Sequence, residues 1–66
     1  MIVRVNGSDT VVPDGTTVSG LIESMGLDGR RVAAEIDGSI CPRASWGSEV
    51  LREGQRVELV GFVGGG

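Results

Sequence analysis

The glycine run at the C-terminal end is the stretch of this sequence whose residue types point most directly to chemistry. Three glycines, residues 64–66, follow the apolar residues Phe62 and Val63. Because glycine lacks a Cβ atom, such a segment adopts many backbone conformations and lets another surface approach closely. Residues 63–66 reach at most ~14 Å, which suits a thread that enters a narrow tunnel in another protein. The working group would be the carboxylate of Gly66, whereas the simpler alternative is a disordered end without function.

Few side chains are available for catalysis by the chain itself. The sequence has no histidine, lysine or tyrosine, which excludes a Ser-His-Asp triad, a Cys-His dyad and a lysine Schiff base. Glu35 and Asp37 stand two residues apart on a predicted strand, and their spacing of roughly 6.6 Å is near that of paired catalytic carboxylates. A solvent-exposed sheet face is the favoured interpretation, because so small a domain has little room for a cleft that raises a carboxyl pKa. An enzyme formed by this chain alone would therefore have to rely on carboxylates, serine, threonine and one cysteine.

Cys41 and Trp46 are the two other residues that could take part in chemistry. Cys41 lies between the apolar residues Ile40 and Pro42 with no general base nearby, so a small, partly buried core residue is favoured over a nucleophile. Trp46 could stack on a ligand, but such a residue more often closes the edge of a small core while its indole N–H finds a carbonyl oxygen. The single cysteine forms no internal disulfide and fits a reducing compartment.

Length and charge restrict the classes of protein to which the chain can belong. Sixty-six residues make one domain, which buries roughly 60% of its unfolded surface. Nine acidic residues against six basic ones give a net charge of −3, which argues against binding to nucleic acid phosphates. No apolar run approaches the ~18 residues of a membrane span, and the N-terminus turns polar too early for a signal peptide. We expect a cytoplasmic protein that binds neither nucleic acid nor membranes and has no metal site.

Two turn signals divide the first four predicted strands into pairs. Asn6-Gly7 and Asp37-Gly38 are the dipeptides that tight hairpins prefer. Each stands between two short segments in which apolar side chains alternate with others. The predicted strands are residues 1–5, 10–13, 30–37 and 39–42.

A helix is predicted between the two hairpins. Thr17 is its expected N-cap, and Gly26 suits the left-handed backbone position after the last turn, from which Leu27 folds back onto the helix. Gly20 weakens the helix by roughly 1 kcal/mol relative to alanine, so its stability should depend on packing. The residues expected to form its apolar stripe are Val18, Leu21, Ile22 and Met25.

The last predicted strand, residues 56–62, follows an irregular loop. Alternation along this strand places Val57 and Leu59 on one face of the sheet. The side chains expected on the opposite face are Arg56, Glu58, Val60 and Phe62.

The order of these elements predicts an α+β domain with the β-grasp, or ubiquitin-like, fold. A mixed sheet of four to five strands would carry one main helix packed on one face, with the final strand returning to the middle of the sheet. The β-grasp domain would span residues 1–62, and residues 63–66 would form a flexible C-terminal tail.

Three segments of the sequence resemble the bacterial sulfur-carrier proteins, and most closely the ThiS family of thiamine biosynthesis. They are "DGTTVSGLIES" at 14–24, "ICPRASW" at 40–46 and "LREGQRVELVGFVGGG" at 51–66. The Pro-Arg-x-x-Trp pattern in the second segment is fairly specific, whereas a terminal Gly-Gly alone is a weak signal. Cys41 departs from the aliphatic residue usual in the family, and Gly64 adds a third glycine before the pair Gly65 and Gly66.

The resemblance implies a sulfur carrier that contributes no catalytic side chain and holds no permanent cofactor. An adenylating enzyme of the ubiquitin-activating type would use ATP and Mg²⁺ to activate the carboxylate of Gly66. A persulfide supplied through a cysteine desulfurase would then displace AMP and leave a C-terminal thiocarboxylate. Thiazole synthase would incorporate that sulfur into the thiazole of thiamine.

The strand alternation adds a docking surface for these partners. Val60 and Phe62 would be exposed and apolar beside the tail if the helix covers the opposite face. Ile2 should lie on the same outer face, on a neighbouring strand. Exposed apolar groups with a polar border indicate a protein interface. The expected border residues are Arg4, Arg56 and Glu58.

Several other functions are compatible with the same residues. A carrier for another sulfur acceptor would share the fold and the tail, above all the small subunit of molybdopterin synthase, although such proteins usually run longer and lack the Pro-Arg-x-x-Trp segment. A carrier for cysteine synthesis is a weaker alternative. A ubiquitin-like modifier joined to target lysines and a β-grasp binding module with an idle tail are the remaining classes.

Overall fold

The computed structural model describes residues 1–61, which form a mixed five-stranded sheet with one helix packed on one face. The strand order is β2-β1-β5-β3-β4, with β5 in the middle, so the predicted β-grasp architecture is confirmed. Within the described residues, no helix is long and apolar enough to cross a membrane. The elements are β1 (Ile2–Val5), β2 (Ser8–Val11), α1 (Val18–Ser24), β3 (Val32–Ile36), β4 (Ser39–Cys41) and β5 (Arg56–Gly61), with single 3₁₀ turns at Gly29–Arg31 and Arg43–Ser45.

Both predicted hairpins are present and have the same turn geometry. Asn6 and Gly7 have φ angles of 50° and 83°, and Asp37 and Gly38 have φ angles of 50° and 87°. Positive φ at both central residues defines the type I′ turn, whose twist matches that of the strands it joins. The first turn makes Val5 pair with Ser8, so β2 begins two residues before the predicted start.

The early start of β2 has a physical cause that hydropathy does not reveal. Its first residues are polar and largely solvent-exposed, which is typical of an edge strand. Pairing with β1, rather than burial of side chains, therefore defines this strand.

The helix begins and ends at residues that local rules identify. Thr17 is the N-cap, and its Oγ1 accepts a hydrogen bond from the N–H of Gly20 at 3.0 Å. At the other end, the N–H of Gly26 binds the carbonyl of Glu23 and the N–H of Leu27 binds that of Ile22. These two bonds, with φ of 71° at Gly26, form a Schellman motif.

The predicted apolar stripe of the helix is one residue too long. Val18, Leu21 and Ile22 are buried, but Met25 is 44% exposed. Met25 is the C-cap residue rather than a member of the last helical turn. Met25 therefore does not belong to the buried face of the helix.

A single core fills the space between the helix and the inner face of the sheet. Its fully buried side chains come from the helix (Leu21, Val18) and from two central strands (Val3, Val57). As predicted, Val57 and Leu59 of β5 face this core. The other buried residues are Val5, Val12, Ile22, Val32, Ala34, Cys41, Trp46 and Leu51.

Leu21→Ala is expected to destabilise the domain by roughly 2–5 kcal/mol, because it leaves a cavity at a completely buried position. That is a large share of the stability available to so small a domain. Urea unfolding followed by circular dichroism measures the change. Val11→Ala, at an exposed position on β2, is the matched control and should change stability by less than about 0.5 kcal/mol. Equal losses for both variants would contradict the proposed core.

Candidate functional site

The chain continues from the central strand β5 through Phe62 and Val63 to the C-terminal glycines. It pairs in parallel with β1 and antiparallel with β3, and its last described residue, Gly61, lies opposite Val32 at the start of β3. The predicted working residues Gly64, Gly65 and Gly66, and the predicted interface residue Phe62, lie outside the described residues. The described part of the site is therefore the strand end from which this segment continues.

The outer face of the sheet exposes the two described residues that were predicted to form an interface. Val60 is 52% exposed and Ile2 is 43% exposed. The parallel register pairs Arg4 with Arg56, which places Ile2 level with Gly54. Six residues of strand then separate Ile2 from Val60 along the sheet, a distance of about 20 Å. The structure therefore does not bring Ile2 and Val60 into one patch.

A different set of residues shares the outer face with Val60 at this end of the sheet. Ala33 lies directly opposite Val60, Glu35 lies opposite Glu58, and Ile40 lies opposite Glu35 on the edge strand. We call this half of the outer face the tail-side patch; it consists of Ala33, Glu35, Ile40, Glu58 and Val60. All five side chains are at least partly exposed. Sequence reasoning missed Ala33 and Ile40, because only the strand pairing places Ala33 opposite Val60 and Ile40 one strand further away, opposite Glu35.

Glu35 and Asp37 are not a catalytic pair. Glu35 belongs to the outer face of β3, as the favoured interpretation held. Asp37 instead belongs to the type I′ turn, where its carboxylate accepts the N–H of Arg56 at 3.0 Å. The expectation that both side chains share one strand face was wrong, because β3 ends at Ile36. Among the described residues, no group of three or more acidic or cysteine side chains could hold a metal ion.

Trp46 and Cys41 have the packing roles predicted for them. Trp46 is only 7% exposed, and its indole N–H donates to the carbonyl of Cys41 at 2.9 Å. Cys41 is buried, and this burial, with a smaller contribution from the charge of Glu49, raises the pKa of its thiol. The thiol therefore stays protonated at neutral pH and is a poor nucleophile.

Arg43 connects the Pro-Arg-x-x-Trp segment to the start of β3. Its Nη2 donates to the carbonyl of Gly29 at 2.7 Å and to that of Val32 at 3.0 Å. Its guanidinium also lies 5.1 Å from the centre of the Trp46 ring, within range of a cation–π contact. Because Val32 pairs with Gly61, the segment supports the strand end beside the C-terminal residues.

Comparison with solved structures gives a close match over the whole chain. The crystal structure of the thiamine biosynthesis protein ThiS from Geobacter metallireducens superposes with a TM-score of 0.85 at 26% identity, with both chains fully covered. An NMR solution structure of a thiamine biosynthesis protein from the same organism gives 0.83 at 26% identity, covering all of this chain and 88% of the other.

Sequence comparisons agree with the structural match. Thiazole synthase from Magnetococcus marinus is 35% identical over 66 residues, and thiazole synthase from Paramagnetospirillum magneticum is 34% identical over 62 residues. The matches cover 100% and 94% of this chain but only 20% and 19% of those proteins, so the chain spans about a fifth of their length. The family model described as ThiS family matches residues 2–66. The chain belongs to the ThiS family.

Proposed function

We propose that the chain is a sulfur carrier for thiamine biosynthesis, with the carboxyl group of Gly66 as the site that carries sulfur. The observation that carries this proposal is the family match over residues 2–66, which includes the C-terminal glycines. The domain of residues 1–62 would be the part that partners recognise. Residues 63–66 would be the segment that enters their active sites.

The first proposed step activates the carboxylate. A carboxylate oxygen of Gly66 attacks the α-phosphorus of ATP in the active site of an adenylating enzyme, and pyrophosphate leaves with Mg²⁺ bound. The product is an acyl-adenylate, in which AMP is a good leaving group. The carrier adds no catalytic side chain in this scheme and is not itself an enzyme.

The second proposed step introduces sulfur. A persulfide derived from a cysteine desulfurase attacks the acyl carbon and displaces AMP, which gives an acyl disulfide. A thiol then attacks the sulfur that is not bonded to the acyl carbon. This attack forms a new disulfide and releases the thiocarboxylate of Gly66. These reactions need ATP and reduced thiols, so we place them in the cytoplasm.

The proposed acceptor is the thiazole of thiamine, through a thiazole synthase. Support comes from the two relatives of that name, in which a region similar to this chain makes up about a fifth of the protein. Such an arrangement is consistent with a carrier domain and a thiazole synthase that work together. Growth rescue of a thiazole-requiring bacterial strain by the chain would test this acceptor.

Intact-mass spectrometry tests the carrier role itself. The chain is incubated with an adenylating enzyme, ATP, Mg²⁺, a cysteine desulfurase and cysteine. The expected product has one oxygen replaced by one sulfur, located at Gly66 by fragmentation. An unchanged mass would contradict the proposal, and adducts to lysines of other proteins in a lysate would favour a ubiquitin-like modifier instead.

Val60→Asp is expected to weaken binding to the adenylating enzyme about tenfold or more, because it replaces apolar area beside the C-terminal segment with a charge. Since Val60 is half exposed, the melting temperature should change little. Isothermal titration calorimetry of the two purified proteins measures the affinity. Phe62→Asp, at the neighbouring outer-face position predicted from alternation, should act in the same way.

Ile2→Asp is the matched control for this interface. It makes the same chemical change on the same face, about 20 Å from Val60 along the strands. Affinity for the adenylating enzyme should stay within about twofold of the unmodified chain. Equal weakening by Ile2→Asp would show that the partner covers the whole outer face rather than the tail-side patch.

A further inference from the structure

We propose that Asn6 is a positioning residue for the C-terminal segment, because its side chain takes the place of a missing strand neighbour beside Leu59. In this way Asn6 fixes the direction in which the chain leaves the sheet toward Gly66. The inference rests on the proposed function, since it concerns how Gly66 is delivered to the adenylating enzyme.

Strand β5 extends beyond the neighbour that supports it on one side. The last residue of β1, Val5, is in register with Val57. The backbone N–H of Asn6 adds one more bond, to the carbonyl of Val57 at 2.9 Å. The chain then reverses at Gly7 into β2, while β5 continues to Gly61. From Leu59 onward, the backbone of β1 is no longer available to hold this side of β5.

The carboxamide of Asn6 fills that place. The N–H of Leu59 donates to Oδ1 of Asn6 at 2.8 Å, and Nδ2 of Asn6 donates to the carbonyl of Leu59 at 3.2 Å. One donor and one acceptor are thus matched, as a backbone peptide group would match them. The side chain therefore extends the hydrogen-bond ladder between β1 and β5 by one pair of bonds, which we call the side-chain rung.

Asparagine meets two requirements at this position. The type I′ turn needs a left-handed φ of 50° at residue 6, which asparagine adopts more readily than most residues. The rung needs a side chain that both donates and accepts, which an amide provides. Glycine would meet only the φ requirement of the turn. Aspartate would meet that requirement and accept the N–H of Leu59, but it would not donate to the carbonyl of Leu59.

The opposite side of the strand end is held by β3. Val60 lies opposite Ala33 and Gly61 lies opposite Val32, whose carbonyl is bound by Arg43. The strand end is therefore held by Asn6 on the β1 side at Leu59 and by β3 on the other side as far as Gly61. Residues 62–66 continue from this strand end, so a less fixed strand end would enlarge the set of positions open to the Gly66 carboxylate. The fraction of bound complexes with the carboxylate in the reacting position would then fall, and the rate would fall with it.

The second hairpin supplies a matched control at the other end of β5. Asp37 has the same φ of 50°, and its carboxylate accepts the N–H of Arg56 at 3.0 Å while its own N–H binds the carbonyl of Arg56 at 2.8 Å. Arg56 begins β5, about 17 Å from Gly61 along the strand. Both turns thus use a side chain to hold β5, but only Asn6 does so next to the C-terminal segment.

The test compares Asn6→Gly with Asp37→Gly, because glycine keeps the positive φ of each turn and removes only the side chain. In the free protein, amide hydrogen exchange followed by NMR should be about tenfold faster at Leu59 in Asn6→Gly and unchanged there in Asp37→Gly. In ATP–pyrophosphate exchange with the adenylating enzyme, Asn6→Gly should lower kcat about tenfold or more. The Kd of Asn6→Gly for the adenylating enzyme, measured by isothermal titration calorimetry, should stay within about twofold of that of the unmodified chain, because no side chain of the outer face is replaced.

The conservative variant and the contrary results complete the test. Asn6→Asp keeps the acceptor for Leu59 but loses the donor, so its kcat should lie between those of the unmodified chain and Asn6→Gly. Equal kcat values for Asn6→Gly and Asp37→Gly, or a loss confined to Kd, would overturn the positioning role alone. Absence of exchange with the unmodified chain would overturn the proposed function, and this inference with it.

Discussion

A chain that ends at Gly65, or that carries an added alanine after Gly66, is expected to gain no sulfur while keeping its fold. Either change moves the terminal carboxylate by one residue, up to about 3.6 Å, which exceeds the misplacement that an active site tolerates. The fold should survive because every residue of the described core precedes Val60. Intact-mass spectrometry after incubation with the sulfur-transfer enzymes measures the first effect, and thermal unfolding measures the second.

Gly65→Val refines this experiment without changing the length of the chain. A β-branched side chain restricts the backbone and adds bulk that a close-fitting tunnel would exclude. Sulfur transfer should therefore fall sharply, again with an unchanged melting temperature. A shortened chain that still formed a thiocarboxylate would refute the assignment of Gly66 as the sulfur-carrying residue.

Trp46→Ala is expected to destabilise the domain by roughly 3–5 kcal/mol, which would leave much of the population unfolded at 37 °C. The substitution removes a large buried side chain of the core and the hydrogen bond to the carbonyl of Cys41. It also removes the ring that underlies the guanidinium of Arg43. Urea unfolding followed by circular dichroism measures the loss.

Trp46→Phe separates the ring from its polar group. Phenylalanine keeps an aromatic surface but leaves the carbonyl of Cys41 without its indole partner, so a smaller loss of about 1–3 kcal/mol is expected. If Trp46→Ala left the stability unchanged, the packing role would be refuted and a ligand-binding role for the ring would have to be considered.

The outer-face experiments and the core experiments are designed to give opposite patterns. Substitutions at Leu21 and Trp46 should change stability first, and any loss of sulfur transfer should follow from unfolding. Substitutions at Val60 and Gly65 should change partner binding or sulfur transfer while stability is retained. If Asn6 is a positioning residue as proposed, its substitution should change kcat through the backbone of Leu59 and so give a third pattern.

The sequence by itself determined the local elements of this protein. Asn6-Gly7 and Asp37-Gly38 predicted tight hairpins, Thr17 predicted the start of the helix, and Gly26 predicted its end. These signals are reliable because each depends on the backbone preferences and hydrogen bonds of residues within about four positions of one another. The order of the elements then sufficed to predict the β-grasp fold.

Only the tertiary structure decided how distant segments meet. The parallel register of β1 and β5 separates Ile2 from Val60. The pairing of β3 with β5 places Ala33 opposite Val60, and the pairing of β3 with β4 places Ile40 on the same half of the outer face. The side-chain rung from Asn6 to Leu59 joins residues 53 positions apart. Alternation along a strand fixes which face a side chain occupies, but it leaves open which residue of a neighbouring strand lies beside it. That choice depends on long-range pairing and on the packing of the core beneath the sheet.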